Sequence, residues 1–218
     1  MKFLKEKQAE DPMFFFSFDA DEDNKVRNIF WSYGASRSCY EEYGDVVSFD
    51  TTYQTNRYNL KFAPFVGING HGENLLFAGA VLSDETIQTF RCLFSTFRAC
   101  MSGKAPISIV TDQDGAMRAA IEQEFPDATH MNCLFHIMSK AEILLGTTLS
   151  GNPKFAVDFY EIVYNCLTKE EFERLWSYMV HKHKVHHLKY LNAMYQNREM
   201  FVLVYFKDKF FPFICSTS

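Results

Sequence analysis

Ile107-Ser-Ile-Val-Thr-Asp-Gln-Asp-Gly115 is a short apolar run that ends on two acids and a glycine. Bounded by turn residues, the run Ile107–Thr111 reads as a buried strand. The segment after it, Gly115–Phe125, reads as a helix stopped by Pro126. Upstream, Ile87, Phe90, Leu93, Phe94, Phe97 and Met101 recur at helical spacing until Gly103. Ser83-Asp84-Glu85 before them reads as an N-cap followed by two first-turn acids. A strand reached through a helical crossover pairs parallel with an earlier strand, so this stretch predicts an α/β sheet.

Working outward, Asp45–Tyr53 is rich in Val, Phe and Thr, and Leu60–Asn69 and Asn74–Leu82 flank the turn Gly70-His71-Gly72. These three segments read as antiparallel neighbours. Phe14–Phe18 and Val26–Trp31 read as a hairpin around the polar stretch 19–25, with a helix over Ser36–Tyr43 ending at Gly44. Thr129–Asn132 reads as a brief strand before a helix from Leu134 to Leu145. After Gly151 strand signals stop: Phe155–Leu167 is amphipathic, Thr168-Lys-Glu-Glu171 is a capping-box pattern opening a helix through Met179, and Leu188–Phe206 reads as helical, with 201–206 able to extend.

Composition narrows the class. The 23 Phe promise a large apolar core, and no run approaches about 18 apolar residues, so no spanning helix is expected. Six scattered Cys fit reduced thiols rather than a disulfide framework. Residues 1–150 carry 13 basic against 20 acidic side chains, a net −7, and residues 151–218 carry 9 against 7, a net +2. That balance is not the one of a self-sufficient nucleic-acid-binding module.

Two acids stand where apolar strands run out: Asp50 in Val46-Val-Ser-Phe-Asp50 and Asp112 in Ile109-Val-Thr-Asp112. With those strands side by side, the carboxylates converge at one sheet edge and offer the hard oxygen ligands that suit Mg²⁺ or Mn²⁺. Asp and Thr also end strands for turn and capping reasons alone, as Asp114-Gly115 illustrates, so spacing leaves both readings open. Cys133 and His136 share a helix face at i and i+3. Zinc would need about two further ligands. His130, Cys166 and Cys215 are the nearest by type, none well spaced, so the spacing favours packing and hydrogen bonding. The run His181-Lys-His-Lys-Val-His-His187 reads as a solvated surface. Trp31, Trp176 and most Phe read as core.

Taken in order, Asp45-Val-Val-Ser-Phe-Asp-Thr-Thr-Tyr53, Phe65-Val-Gly-Ile-Asn69, Leu82-Ser-Asp-Glu-Thr86, Thr111-Asp-Gln-Asp114 and Cys133-Leu-Phe-His-Ile137 resemble the Mutator-like element transposase domain. The wording is that of the plant far-red impaired response and far-red elongated hypocotyl proteins. The resemblance covers essentially the whole chain, including Asn28-Ile-Phe-Trp31 and the stretch after Gly151.

This resemblance implies a ribonuclease-H-like α/β fold, a mixed sheet with helices followed by an α-helical insertion that interrupts an Asp-Asp-Glu metal triad. Asp50 matches the first acid and Asp112 the second, and Cys133 and His136 match the family's Cys-x-x-His motif. The third acid, a Glu, is expected after the insertion, beyond Cys215-Ser-Thr-Ser218, which implies an incomplete or vestigial triad and a sheet lacking its final helix. The expected organisation is a leading helix and β-hairpin over 1–44, a ribonuclease-H-like core over 45–150, and a truncated helical insertion over 151–218.

Mg²⁺ or Mn²⁺ at the Asp pair is the implied cofactor. Zinc is implied for the family's flanking domains, an N-terminal DNA-recognition domain and a C-terminal SWIM-type finger, whose Cys and His patterns do not occur here. The implied role is the transposase-derived domain of a nuclear transcription regulator of far-red light signalling, working by DNA-associated regulation and protein–protein interaction. Its implied partners are DNA, reached through domains outside this chain, and related regulators in homo- or heterodimers, with no membrane. An active Mutator-type DNA transposase using two divalent metals is the alternative.

Overall fold

A computed structural model describes residues 2–51 and 60–211. Thr52 and Tyr53, the end of the expected strand Asp45–Tyr53, lie outside the described residues, as do Phe213 and Cys215. The chain divides into two compact units, Met1–His130 and Met131–Ser218.

The first unit opens with α1 (Lys2–Glu10) and the hairpin β1 (Phe15–Ala20) and β2 (Val26–Ser32). The hairpin's polar turn is built by Asp21, whose Oδ1 accepts from the amides of Asp23 and Lys25 at 3.0 and 2.8 Å. Helix α2 (Gly34–Tyr43) starts two residues earlier than the sequence predicts. The reason is Asp11, whose Oδ2 accepts from the Gly34 amide at 2.8 Å and satisfies an orphan N-terminal donor from a distance.

Strands β3 (Val46–Phe49), β4 (Lys61–Ile68) and β5 (Asn74–Leu82) follow, then α3 (Ile87–Cys100), β6 (Ser108–Thr111), α4 (Gly115–Glu124) and β7 (Thr129–Asn132). The seven strands form one sheet in the order β1-β2-β5-β4-β3-β6-β7. β3, β4 and β5 are antiparallel neighbours, and β6 runs parallel to β3 as the crossover rule predicts. The leading hairpin is part of this sheet, because β2 pairs with β5 through Ile29–Val81, Phe30–Ala80 and Trp31–Gly79. Gly79 is required there: a Cβ would meet the Trp31 ring at 2.7 Å. At the β4–β5 turn, Gly72 takes φ +81°, a backbone that a side chain would strain.

The expected helix start at Ser83 is corrected by one turn. The N-cap of α3 is Thr86, whose hydroxyl accepts from the Thr89 amide at 3.2 Å. Asp84 instead accepts from the Thr86 and Thr89 hydroxyls, and Glu85 turns toward Thr51 and Lys61. Both acids are consumed by side-chain donors, so they do not serve as first-turn residues.

Phenylalanine builds this unit's core. Phe49, Phe65, Phe77, Phe90, Phe94 and Phe97 are all at most 1% exposed. Phe65 stacks on Phe97 at 4.1 Å between centroids and meets Phe30 and Phe94 edge-on. Such pairs contribute about 0.5–1.5 kcal/mol each beyond the area they bury.

The second unit is helical: α5 (Leu134–Leu144), α6 (Gly146–Gly151), α7 (Pro153–Asn165), α8 (Lys169–His183) and α9 (Lys189–Gln196). Its core joins Leu134, Ile137 and Ala141 of α5 with Phe155, Phe159, Phe172, Trp176 and Leu191. Helix α5, which the sequence places within the 45–150 core, packs into the core of the helical unit, and the division between the units falls inside β7. At α8 the Thr168 hydroxyl accepts from the Glu171 amide at 3.1 Å, while Glu171 reaches back to the Leu167 amide at 2.7 Å. The segment expected to be helical over Leu188–Phe206, or to extend over 201–206, is α-helical only to Gln196 and then makes two 3₁₀ turns, Arg198–Met200 and Leu203–Phe206. Arg198 explains the break, since its guanidinium bonds back to the Tyr195 carbonyl and to Glu173. Among the described residues no helix is long and apolar enough to cross a membrane.

Candidate metal centre

Parallel pairing of β3 with β6 sets the geometry of the two acids. Phe49 is the register partner of Thr111, so Asp50 and Asp112 are the next residues on two adjacent strands. On β3, Val47 and Phe49 are buried in the core, which sends Ser48 and Asp50 to the opposite side of the pleat. A carboxylate oxygen of Asp50 lies within 4.8 Å of one of Asp112, and both residues are half-buried. Each acid also accepts from the backbone amide that follows it: Thr51 N at 2.7 Å from Asp50 Oδ1, and Gln113 N at 2.6 Å from Asp112 Oδ1. The third acid of the motif, Asp114, has a separate task as the N-cap of α4, accepting from Met117 N at 2.8 Å.

The residues present fit a hard divalent cation. Octahedral Mg²⁺ takes oxygens at about 2.0–2.1 Å, so two oxygens on one ion are at most about 4.2 Å apart, a span comparable to that of the Asp pair.

Two threonines flank the pair. Thr111, 1% exposed, donates its hydroxyl to the Asp112 carbonyl at 2.8 Å and bonds His130 Nε2 at 2.8 Å. Since the hydroxyl proton is committed to Asp112, the ring Nε2 must be the donor, which leaves Nδ1 unprotonated. Among the described residues that buried Nδ1 has no hydrogen-bond partner. Burial, helped by the nearby Arg118 charge, pushes the His130 pKa down to about 4, so the ring is neutral at pH 7. Beside Asp50, the Thr51 hydroxyl donates to Glu85 Oε1 at 2.5 Å, and Glu85 Oε2 pairs with Lys61. Sequence reasoning missed Thr51, Lys61, Glu85 and the tie between Thr111 and His130, because each partner arrives through the sheet register and not through local spacing.

The remaining candidates belong to the second unit. Cys133 occupies the N-cap of α5 without a side-chain capping bond, and His136 follows one turn later, both half-buried in the helical unit. Among the described residues no cysteine belongs to a group of three or more metal-capable side chains. Cys166 ends α7, with its thiol pushed up by burial. Within 181–187, His181, His186 and His187 are exposed as expected. His183 is not: its side chain is 6% exposed and its Nε2 donates to Asp158 at 2.7 Å.

Comparison with known proteins adds a family to this geometry. The model of the MULE transposase domain matches residues 46–140, which contain both acids and both residues of the Cys-x-x-His motif. The chain is similar to three Arabidopsis thaliana proteins. FAR1-RELATED SEQUENCE 5 is 40% identical over 97% of the chain, FAR1-RELATED SEQUENCE 2 is 34% identical over 92%, and FAR-RED IMPAIRED RESPONSE 1 is 31% identical over 96%. The chain spans about a quarter of the length of these relatives, 27%, 25% and 25% respectively.

Proposed function

We propose that the chain is the transposase-derived core of a nuclear transcription regulator, because residues 46–140 match the model of the MULE transposase domain and the chain is similar along nearly all its length to plant FAR1-related proteins. The observation that carries this reading is the reach of the similarity, which covers 97% of the chain and so takes in the helical unit as well as the acid-bearing sheet. A transposase core retained for regulation needs its fold and its surfaces rather than turnover. DNA association and pairing with related regulators, in homo- or heterodimers, are the activities it would serve, with far-red light as the signal. Nuclear imaging of a tagged protein and a promoter-reporter assay with and without the chain test this role. A cytoplasmic protein with no effect on any reporter driven by its relatives' target promoters would defeat it.

The geometry of Asp50 and Asp112 favours a second reading, a DNA-cleaving transposase. A divalent cation held by these carboxylates would supply Lewis-acid stabilisation of charge on a phosphodiester. The chain's own part is to hold two acids at a shared sheet edge, steady them with the Thr51 and Gln113 amides, and keep His130 neutral beside them. Calorimetric Mn²⁺ titration is the first test. Binding in the wild type that is lost in Asp50→Asn/Asp112→Asn establishes the cation site, and absence of binding removes it. Nicking of terminal-repeat DNA in Mn²⁺, abolished by Asp50→Asn, then separates a nuclease from a regulator that keeps only the cation site.

A further inference from the structure

Glu85 stands at a place that the acid pair does not explain. It lies in the loop between β5 and α3, its side chain 29% exposed, with one carboxylate oxygen on the Thr51 hydroxyl and the other on Lys61. Lys61 opens β4 and is the register partner of Leu82 at the end of β5, so the sheet itself brings the ammonium next to the Glu85 loop. Thr51 is the residue whose amide donates to Asp50 Oδ1 at 2.7 Å. One short side-chain bond thus links Glu85 to Thr51, and one backbone bond links Thr51 to the first acid.

We propose that Glu85 is a positioning residue for the candidate cation site: it holds the Thr51 hydroxyl so that the Thr51 amide fixes the rotamer of Asp50, while Lys61 neutralises the Glu85 charge. The proposal rests on the reading that Asp50 and Asp112 bind a divalent cation. β3 ends at Phe49, so Asp50 and Thr51 lie just past the last residue of the strand. An outer hydrogen bond that sets a ligand carboxylate's rotamer before the cation arrives raises affinity. The ion pair with Lys61 serves the same arrangement. A fixed cation beside Glu85 keeps it anchored as an acceptor for Thr51 instead of swinging toward an added metal ion.

The test is Mn²⁺ affinity by calorimetry in five variants, with thermal unfolding of each. Thr51→Val is nearly isosteric and leaves the charge unchanged; it is expected to weaken Mn²⁺ binding about 10-fold, the lower end for outer hydrogen-bond partners of metal ligands. Thr51→Ser keeps the hydroxyl and is expected to bind like the wild type. Glu85→Ala is expected to match Thr51→Val, whereas Glu85→Gln, which keeps an acceptor oxygen, restores most of the affinity. The double variant Thr51→Val/Glu85→Ala is expected to be no weaker than either single one, because both remove the same link. Melting temperatures that stay near wild type separate positioning from a general loss of structure.

Three results would overturn the proposal: Thr51→Val binding like wild type, Glu85→Gln as weak as Glu85→Ala, or multiplicative losses in the double variant. The second would show that the Glu85 charge acts, not its hydrogen bond. Should Thr51→Val fail to fold, the comparison of Glu85→Gln with Glu85→Ala decides alone. A wild type that binds no Mn²⁺ overturns the cation site itself, a different outcome from a wild type that binds and variants that bind equally well.

Discussion

Glu173 and Asp158 in the helical unit and the Asp50–Asp112 pair in the sheet unit are set in different surroundings. In the helical unit, Glu173 accepts from Arg198, Tyr195 and Tyr205, each at 2.5 Å, and Asp158 accepts from Lys182 and His183, both at 2.7 Å. Burial pushes the Glu173 carboxyl up, but the two tyrosines and Arg198 outweigh it and hold the group below its ordinary value. Lys182 and then His183 hold Asp158 down in the same way. These acids are surrounded by donors that stabilise their charge. In the sheet unit, Asp50 and Asp112 are set within 4.8 Å of each other, and each accepts from the backbone amide that follows it. Acids tied into side-chain networks and acids brought together at a sheet edge thus occur in one chain, and only the second kind offers hard oxygen ligands to a shared cation.

The widest separation of the two units comes from their cores. Phe65→Ala removes the ring that stacks on Phe97 at 4.1 Å, and it should destabilise the sheet unit by about 3–5 kcal/mol. Hydrogen exchange read peptide by peptide should then show loss of protection in β4 and β5 ahead of α7 and α8. Equal loss in all four would mean that the units unfold as one block, and the contrast between them would lose its thermodynamic basis.

A smaller effect tests the acids directly. Glu173→Ala should cost on the order of 2 kcal/mol, since a charge-assisted network is broken while Arg198 stays half-buried. Mn²⁺ affinity should be unchanged in that variant. A change in affinity would show that the Glu173 network is coupled to cation binding and is not confined to the helical fold.

Acid should reach the two units at different pH. His130 is depressed from 6.5 to about 4 in the folded protein, so the unfolded chain binds its proton first. The stability it contributes is complete above about pH 6.5 and is lost as pH falls toward about 4, a decline on the order of 1–2 kcal/mol after allowance for partial exposure. Glu173 and Asp158, also depressed, lose theirs only below their ordinary values of 4.5 and 3.8. Urea midpoints between pH 7 and 4 should therefore fall in the wild type and flatten in His130→Gln. A wild-type slope that persists in His130→Gln would assign the acid response to other groups.

Much of this was legible in the sequence, for physical reasons that differ by element. The antiparallel grouping of β3, β4 and β5 and the parallel placement of β6 followed from hydrophobic period and the crossover rule, and Asp50 and Asp112 could be paired because both end apolar strands. The joining of the 14–31 hairpin to β5 was not legible, since period 2 marks a strand without naming its neighbour. Nor was the assignment of α5 to the helical unit, where Leu134, Ile137 and Ala141 find Phe155 and Leu191 only in three dimensions. Asp84 and Glu85 show the limit most clearly. Local spacing reads two adjacent acids as equivalent helix-start residues, yet one is taken by Thr86 and Thr89 and the other by Thr51 and Lys61.

Asp84 gives the smallest and sharpest test, because it is a fold-stabilising acid inside the unit that carries the Asp50–Asp112 pair. Its Oδ1 accepts from the Thr89 hydroxyl at 2.5 Å and the Thr86 hydroxyl at 3.0 Å, and its Oδ2 accepts from Arg27 at 2.7 Å. The Thr89 hydroxyl above all, against an opposing effect of burial, holds its pKa at about 2 instead of 3.8. A depressed carboxylate contributes stability that is present above its unfolded pKa and disappears as pH falls through its folded one, so the window is pH 4 to 2. Asp84→Asn keeps an acceptor oxygen for the threonines and loses the ion pair with Arg27. At pH 7 it should cost about 1 kcal/mol, the scale of a helix cap. Between pH 4 and 2 its unfolding midpoint should change less than that of the wild type, and the two curves should converge near pH 2. Parallel curves would mean that Asp84 does not titrate differently in the folded state, and that its bonds to Thr86, Thr89 and Arg27 do not depend on its charge.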